Sequence, residues 1–283
     1  MNIVDVGSGP PLVMIPGIQG RWEWMKPAVD ALARRCRVVT FSLADEPTSG
    51  GRFREEDGFA SYVAQVAEAM DQAGIERAAL CGVSYGGLIA STFAARHPER
   101  TTALILVSAL PPDWRPNERA LFYVRAPRLL APIFMLASLR LYGEMAAARE
   151  GLFPGAVAAI RHGLNALRHM FSPARMARRV TLLPPPDLAT ELGRLNKQTL
   201  IVVGEDHLDR VVPPSLTRKY LEIWPHAGMV TLERTGHLGL ITRSDEFARI
   251  VGSFVERSTA GNEARQVPNS RNEPDSAPRR RIG

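Results

Sequence analysis

Short apolar runs alternate along the chain with stretches whose apolar residues recur at helical spacing. Residues 12–15 form an apolar run ended by Pro16-Gly17, and residues 37–41 form another, rich in Val. Between them, 22–35 places Trp24, Ala28, Ala31 and Leu32 at helical spacing. The helical pattern returns over 59–73 through Tyr62, Val63, Val66, Ala69 and Met70, and Gly74 ends it. A buried strand is predicted over 78–83, a helix over 88–96 that stops before Pro98, and a strand over 103–108. Such alternation predicts a parallel sheet with helices on both faces.

The pattern breaks at Pro111-Pro112. From there to about Leu195 the chain is rich in Leu, Ala, Met and Arg and has no strand-like run. Pro127, Pro132, Pro154 and Pro173 divide this insert into short helices, and Pro184-Pro185-Pro186 closes it. Strands resume at 199–203 and 229–232 with a helix over 216–223 between them, and a last helix covers 244–256. The expected organisation is a core of 1–110 and 196–257, a helical insert of 111–195, and a disordered basic tail of 258–283. One more strand, 3–6, is expected near the start.

Composition narrows the class. Hydrophobic residues at 45% and charged residues at 23% exclude a disordered chain or a collagen-like repeat. The longest apolar run, 129–139, contains a Pro and falls short of the ~18 residues that span a bilayer. The opening MNIVDVGSGP has neither a basic start nor an apolar stretch, so no secretory leader is expected and a cytoplasmic protein is. Cys36 and Cys81 are too few for a disulfide framework, and no Cys/His cluster suggests a metal. The net charge of +6 is unevenly held: residues 115–179 carry eleven Arg against three Glu, +8, and 257–283 carry +3. The remainder is therefore acidic, at −5.

Gly82-Val83-Ser84-Tyr85-Gly86-Gly87 is a GxSxG motif between a predicted strand and a predicted helix. A serine on so tight a turn is thrust outward, and small neighbours are needed where strand and helix close up. The turn also aims backbone N–H groups at an anion formed beside the serine. An alcohol is a weak nucleophile, so a general base and an orienting acid are required. His237, in Thr235-Gly236-His237-Leu238-Gly239 just after the last strand, has the position for the base. After strand 199–203 comes Gly204-Glu205-Asp206-His207-Leu208-Asp209-Arg210-Val211-Val212-Pro213. Asp209 opens an Asp-x-x-x-Pro run into the next helix and is the favoured acid, with Asp206, closer to the strand end, in reserve. Asp113 is a distant third.

These residues, together with Gly7-Ser8-Gly9-Pro10-Pro11 leading into 12–17 and the run Ala95-Arg96-His97-Pro98-Glu99-Arg100, resemble the α/β-hydrolase superfamily over about residues 3–256. The resemblance implies an α/β-hydrolase fold, with a mostly parallel sheet, helices on both faces, and the helical insert in place of the variable cap. It also implies an oxyanion hole built from the backbone N–H groups of Ile18 and Tyr85. Three departures stand out. Pro16-Gly17-Ile18-Gln19-Gly20 lacks the usual His-Gly, the acid loop is about two residues long, and a single strand precedes the oxyanion-loop segment where two are common. Gln19 and Trp22 follow that loop and are candidates for substrate contact, while Trp24 and Cys81 read as core residues.

The expected enzyme is a serine hydrolase that cleaves a carboxylic ester through an acyl-enzyme on Ser84, with no metal or organic cofactor. Its partner is a small-molecule substrate rather than nucleic acid, since no binding module accompanies the charge. Leu121, Phe122, Leu129, Leu130, Ile133, Phe134, Met135 and Leu136 are expected to close over the nucleophile, implying a hydrophobic acyl or alkyl pocket. Alternatives on the same residues are thioester, lactone or carbon–carbon bond hydrolysis and acyl transfer. A non-catalytic ligand receptor is the alternative from another class. The Arg-rich cap reads first as a solvated outer face, and second as a site for an anionic ligand or surface.

Overall fold

Seven strands join in one sheet among the described residues of this computed structural model, which describes residues 1–130, Glu144 and 172–266. In chain order they are β1 (Ile3–Val6), β2 (Pro11–Ile15), β3 (Arg37–Phe41), β4 (Ala78–Val83), β5 (Thr101–Val107), β6 (Gln198–Val203) and β7 (Gly228–Thr231). Their spatial order is β1-β3-β2-β4-β5-β6-β7, with β1 antiparallel to β3 and every other neighbour parallel. Because strand side chains alternate, each parallel strand feeds two cores. Val13, Ile15, Leu80, Leu104 and Leu106 face one; Leu12, Met14, Cys81, Ile105 and Val202 face the other. This two-sided burial explains why the strands read as continuous apolar runs rather than as alternating ones.

Helices α1 (Lys26–Leu32), α2 (Ala60–Gln72) and α3 (Tyr85–Arg96) pack on the sheet as the 3.6-residue pattern implies. Their apolar residues divide between the two cores: α2 and α3 supply one, and α1 with the C-terminal helix supplies the other. The segment 22–35 is not one helix. Trp22–Met25 is a 3-10 turn, and α1 starts beside Pro27, which lacks an N–H and pre-sets a first-turn φ.

The insert contributes α4 (Glu118–Arg125), α5 (Pro173–Thr181) and α6 (Leu188–Gly193). Asn117 and Ser172 cap α4 and α5 by accepting from the N–H of Ala120 and Arg175. The rest of the expected helical insert, 131–143 and 145–171, lies outside the described residues, as do Ile133, Phe134, Met135 and Leu136. Leu121, Phe122 and Leu129 are exposed, and α4 buries none of its residues.

After β6 come α7 (Pro214–Arg218), α8 (Tyr220–Ile223), α9 (Gly239–Thr242) and α10 (Ser244–Gln266). The last helix runs past the expected end at 256, so the tail does not begin at 258; residues 267–283 lie outside the described residues. No helix among the described residues is long and apolar enough to cross a membrane.

The parallel arrangement puts the C-terminal ends of β2, β4, β6 and β7 along one edge. The loops that leave this edge carry Ile18, Ser84, Asp209 and His237. Open α/β sheets place their ligand sites at this edge.

Candidate active site

Ser84 is the sole residue between β4 and α3, and it turns the chain with φ 54° and ψ −118°. That left-handed conformation costs a non-glycine residue roughly 1–3 kcal/mol and persists only where the surroundings impose it. Here the Ser84 N–H donates to Val107 O at 2.9 Å, and its carbonyl accepts from Gly87 N–H at 2.9 Å and Leu110 N–H at 3.3 Å. The glycines of the motif are packing necessities. A Cβ at Gly82 would lie 2.4 Å from Gly86 O, one at Gly86 2.5 Å from Ile15 O, and one at Gly87 2.4 Å from Ala109 Cβ.

Tyr85 opens α3, so its N–H is among the donors that a helix start leaves without an intrahelical acceptor. The Pro16–Gly20 loop comes down beside the elbow: a Cβ on Gly17 would sit 3.3 Å from Ser84 Cβ and 2.8 Å from Gln19 Oε1. Gln19 thereby has its side-chain carbonyl folded back over Gly17. Gly20 N–H donates to Gly17 O at 2.9 Å, which turns the peptide carrying the Ile18 N–H away from that bond. Trp22, partly buried, packs against the core on the α1 side of the sheet.

Two backbone loops in contact bring Asp209 and His237 together. A Cβ on Gly204 would lie 2.6 Å from Gly236 Cα, and Glu205 N–H donates to Thr235 O at 2.7 Å. Asp209 is buried. Its Oδ1 accepts from Val211 N–H at 3.1 Å and Val212 N–H at 2.9 Å, and its Oδ2 lies 3.3 Å from His237 Nδ1. Burial is the largest influence on this carboxyl and opposes its ionisation. The hydrogen bond and charge of His237 and the two N–H donors outweigh it, holding the group below the ordinary carboxylate value.

Asp206 stands exposed in a paired contact with Arg218 at 2.9 Å for both bonds, and Asp113 stands exposed against Lys219. Of the three acids, Asp209 is the one bonded to His237. Cys81, fully buried behind the elbow, has its thiol pushed up to about 12 by burial and is no competing nucleophile.

Glu144 is a residue of this site that sequence reasoning missed. It was visible only as one of three acids in the Arg-rich stretch 115–179, without a motif around it. Its Oε1 accepts from the Leu238 N–H, directly after His237, and its Oε2 is buried with no partner among the described residues. Burial raises its carboxyl from 4.5 to about 7, opposed by the His237 charge and by the Leu238 and Gly236 N–H groups and assisted by Asp209. The folded chain thus binds this proton more tightly than the unfolded chain does. Its contribution to stability must fall as pH rises from about 4.5 toward about 7. Thermal unfolding of wild type and Glu144→Gln across that window should show the descent in wild type and a flatter profile in the variant. Parallel profiles would show that folding does not raise this carboxyl.

The model of the alpha/beta hydrolase family matches residues 12–250. The chain is 29% identical over 257 residues to the pimeloyl-[acyl-carrier protein] methyl ester esterase of Aliivibrio salmonicida (strain LFI1238), covering 88% of this chain and 94% of that one. It is 27% identical over 278 residues to the 2-hydroxymuconate semialdehyde hydrolase of Pseudomonas sp. (strain CF600), covering 92% and 91%. Among solved structures, the enol-lactonase from Burkholderia xenovorans LB400 superposes with a TM-score of 0.72 at 19% identity, covering 90% of this chain and 95% of that one. The chain belongs to the alpha/beta hydrolase family. With its relatives it is an enzyme of the hydrolase class.

Proposed function

We propose that this enzyme is a serine hydrolase acting on a carboxylic ester with a hydrophobic acyl or alkyl part. Ser84 Oγ attacks the carbonyl carbon, and His237 takes the hydroxyl proton. Asp209 holds the imidazole in the right tautomer and stabilises it once charged. The developing oxyanion is received by the N–H groups of Ile18 and Tyr85. His237 then returns the proton to the leaving alcohol, and water repeats the sequence in reverse order to release the acid. The observation that carries this reading is the Asp209–His237 pair at 3.3 Å on the edge where β4 ends in a strained serine.

Arg175 and Arg179 turn toward Glu46 and Asp45 of the core, so part of the cap's positive charge is matched within the chain. This favours a neutral ester over an anionic one. The likeness to the Aliivibrio methyl ester esterase supports an ester, and a semialdehyde of the kind named for the Pseudomonas relative is the second reading.

A panel of p-nitrophenyl esters from acetate to decanoate, with matched anionic acyl esters, tests the proposal. Turnover should rise with acyl length before levelling off and be weaker for the anionic members. Turnover of a hydroxymuconate semialdehyde with no ester hydrolysis would transfer the assignment to the second reading.

A further inference from the structure

Arg179 lies on α5 of the cap and is completely buried, the largest of the fully buried side chains among the described residues. Its Nη1 donates to Ile18 O at 2.8 Å. Its Nη2 donates to Asp45 Oδ1 and Glu46 Oε1, each at 2.6 Å, and its Nε lies 3.1 Å from Asp45 Oδ1. Taking a charge out of water costs several kcal/mol, so an Arg is seated here only if these partners offset that cost. Burial works against the guanidinium charge, and Asp45 and Glu46 outweigh it. The expected solvated outer face is therefore wrong for this turn of α5. Arg175 also points at the buried Glu46, while Arg178 pairs with Glu55 at the surface.

The contact with Ile18 matters because of where it falls. Gly20 N–H to Gly17 O orients the peptide before Ile18, and Arg179 to Ile18 O orients the peptide after it. Two successive peptide planes are thus held, the one that carries the Ile18 N–H by the loop itself and the next one, across the Ile18 Cα, by the cap. Gly20 makes the second possible. It has φ +77°, and a Cβ there would lie 2.3 Å from Arg179 Nη1, so only glycine leaves room for the guanidinium. A further link from cap to elbow runs from the Tyr85 hydroxyl to Leu182 O at 2.8 Å.

We propose that Arg179 is a positioning residue for the oxyanion loop, through which seating of cap helix α5 sets the direction of the Ile18 N–H. The proposal rests on the serine-hydrolase reading above. Arg179 touches neither Ser84 nor His237 among its bonds, and it acts through the loop. A lysine cannot replace it: one ammonium cannot reach Ile18 O, Asp45 and Glu46 along the three directions of the fork. Since a misplacement of about 1 Å at a reacting group can lower rates ~100-fold, the effect should be kinetic before it is structural.

The test compares wild type with Arg179→Lys, Asp45→Asn and Arg175→Gln on the best ester of the panel. Affinity for a trifluoromethyl ketone, whose serine adduct places an oxyanion in the hole, is measured in parallel. Arg179→Lys should lose roughly 10- to 100-fold in kcat with KM little changed, and its affinity for the ketone should weaken by a similar factor. Asp45→Asn relaxes the same clamp from the other side while preserving volume. It should show the same split at smaller size, and it serves if Arg179→Lys does not fold. Arg175→Gln removes a neighbouring contact to Glu46 while leaving the bonds of Arg179 to Ile18 O and Asp45 in place, and should leave kcat and ketone affinity near wild type. Wild-type kcat in both clamp variants, or an effect confined to KM, would overturn the positioning role while leaving the hydrolase reading intact. An equal loss in Arg175→Gln would overturn it as well, by making Arg179 a mere cap anchor. A wild type that neither turns over esters nor binds the ketone would remove the hydrolase reading and this role with it.

Discussion

Ser84→Ala is expected to lower kcat by a factor on the order of 10^6 on the best ester, because knocking out a triad serine costs about as much as removing the whole triad. The fold should survive. Alanine meets the left-handed φ of 54° no worse than serine does, and the bonds that hold the elbow are made by the Ser84 backbone rather than by its hydroxyl. Coincident unfolding curves with lost turnover would therefore isolate the missing Oγ as the cause. The same variant should fail to react with a fluorophosphonate that labels the wild-type peptide carrying residue 84. Residual hydrolysis above the water rate is expected, since the oxyanion hole and substrate binding alone sustain roughly 10^3- to 10^4-fold. Turnover within a small factor of wild type would show that the nucleophile lies elsewhere.

The second large effect separates two aspartates three positions apart. Asp209→Asn should lower kcat by roughly 10^4-fold, since an amide in this place can favour the wrong histidine tautomer while filling the same space. Asp206→Asn should change kcat little: its carboxylate is exposed and bonded to Arg218 at the surface, whereas the carboxylate facing His237 is that of Asp209. The buried position of Asp209 sharpens the contrast. Its Oδ1 is engaged by the N–H groups of Val211 and Val212, leaving Oδ2 free to face His237 Nδ1. Kinetic assays of the two variants side by side decide the matter, and the reverse ranking would move the acid to residue 206.

The elbow and the acid pair differ in how far they could be read from the chain. Gly82, Gly86 and Gly87 are explained by atoms only a few residues away or on the adjoining strand end, so a short motif sufficed to find Ser84. For the acid, the loop offered two aspartates of equal chemistry. What distinguishes them is the approach of Gly204 to Gly236, which seats the acid loop on the histidine loop and leaves Asp206 outside. Spacing along the loop favoured Asp209 but could not exclude its neighbour, because burial of one and exposure of the other depend on the second loop. The segment 22–35 misled for a local reason: its apolar spacing suits a helix, but Pro27 does not permit one to run through it.

Periodicity, turn chemistry and the glycine-flanked serine by themselves determined the alternating sheet and helices, the place of the insert, and the nucleophile and base candidates. Each depends on interactions within a turn or a strand, where neighbours in the chain are neighbours in space. Only the tertiary structure decided the fate of the charge. Arg179 meets Ile18 across 161 positions and Asp45 across 134, and Glu144 meets Leu238 across 94. From the chain alone an Arg-rich helix reads as a solvated face, since an unpaired charge belongs in water. Burying it becomes favourable only when acids and a carbonyl from distant loops converge on it, and that convergence exists only once the sheet has assembled.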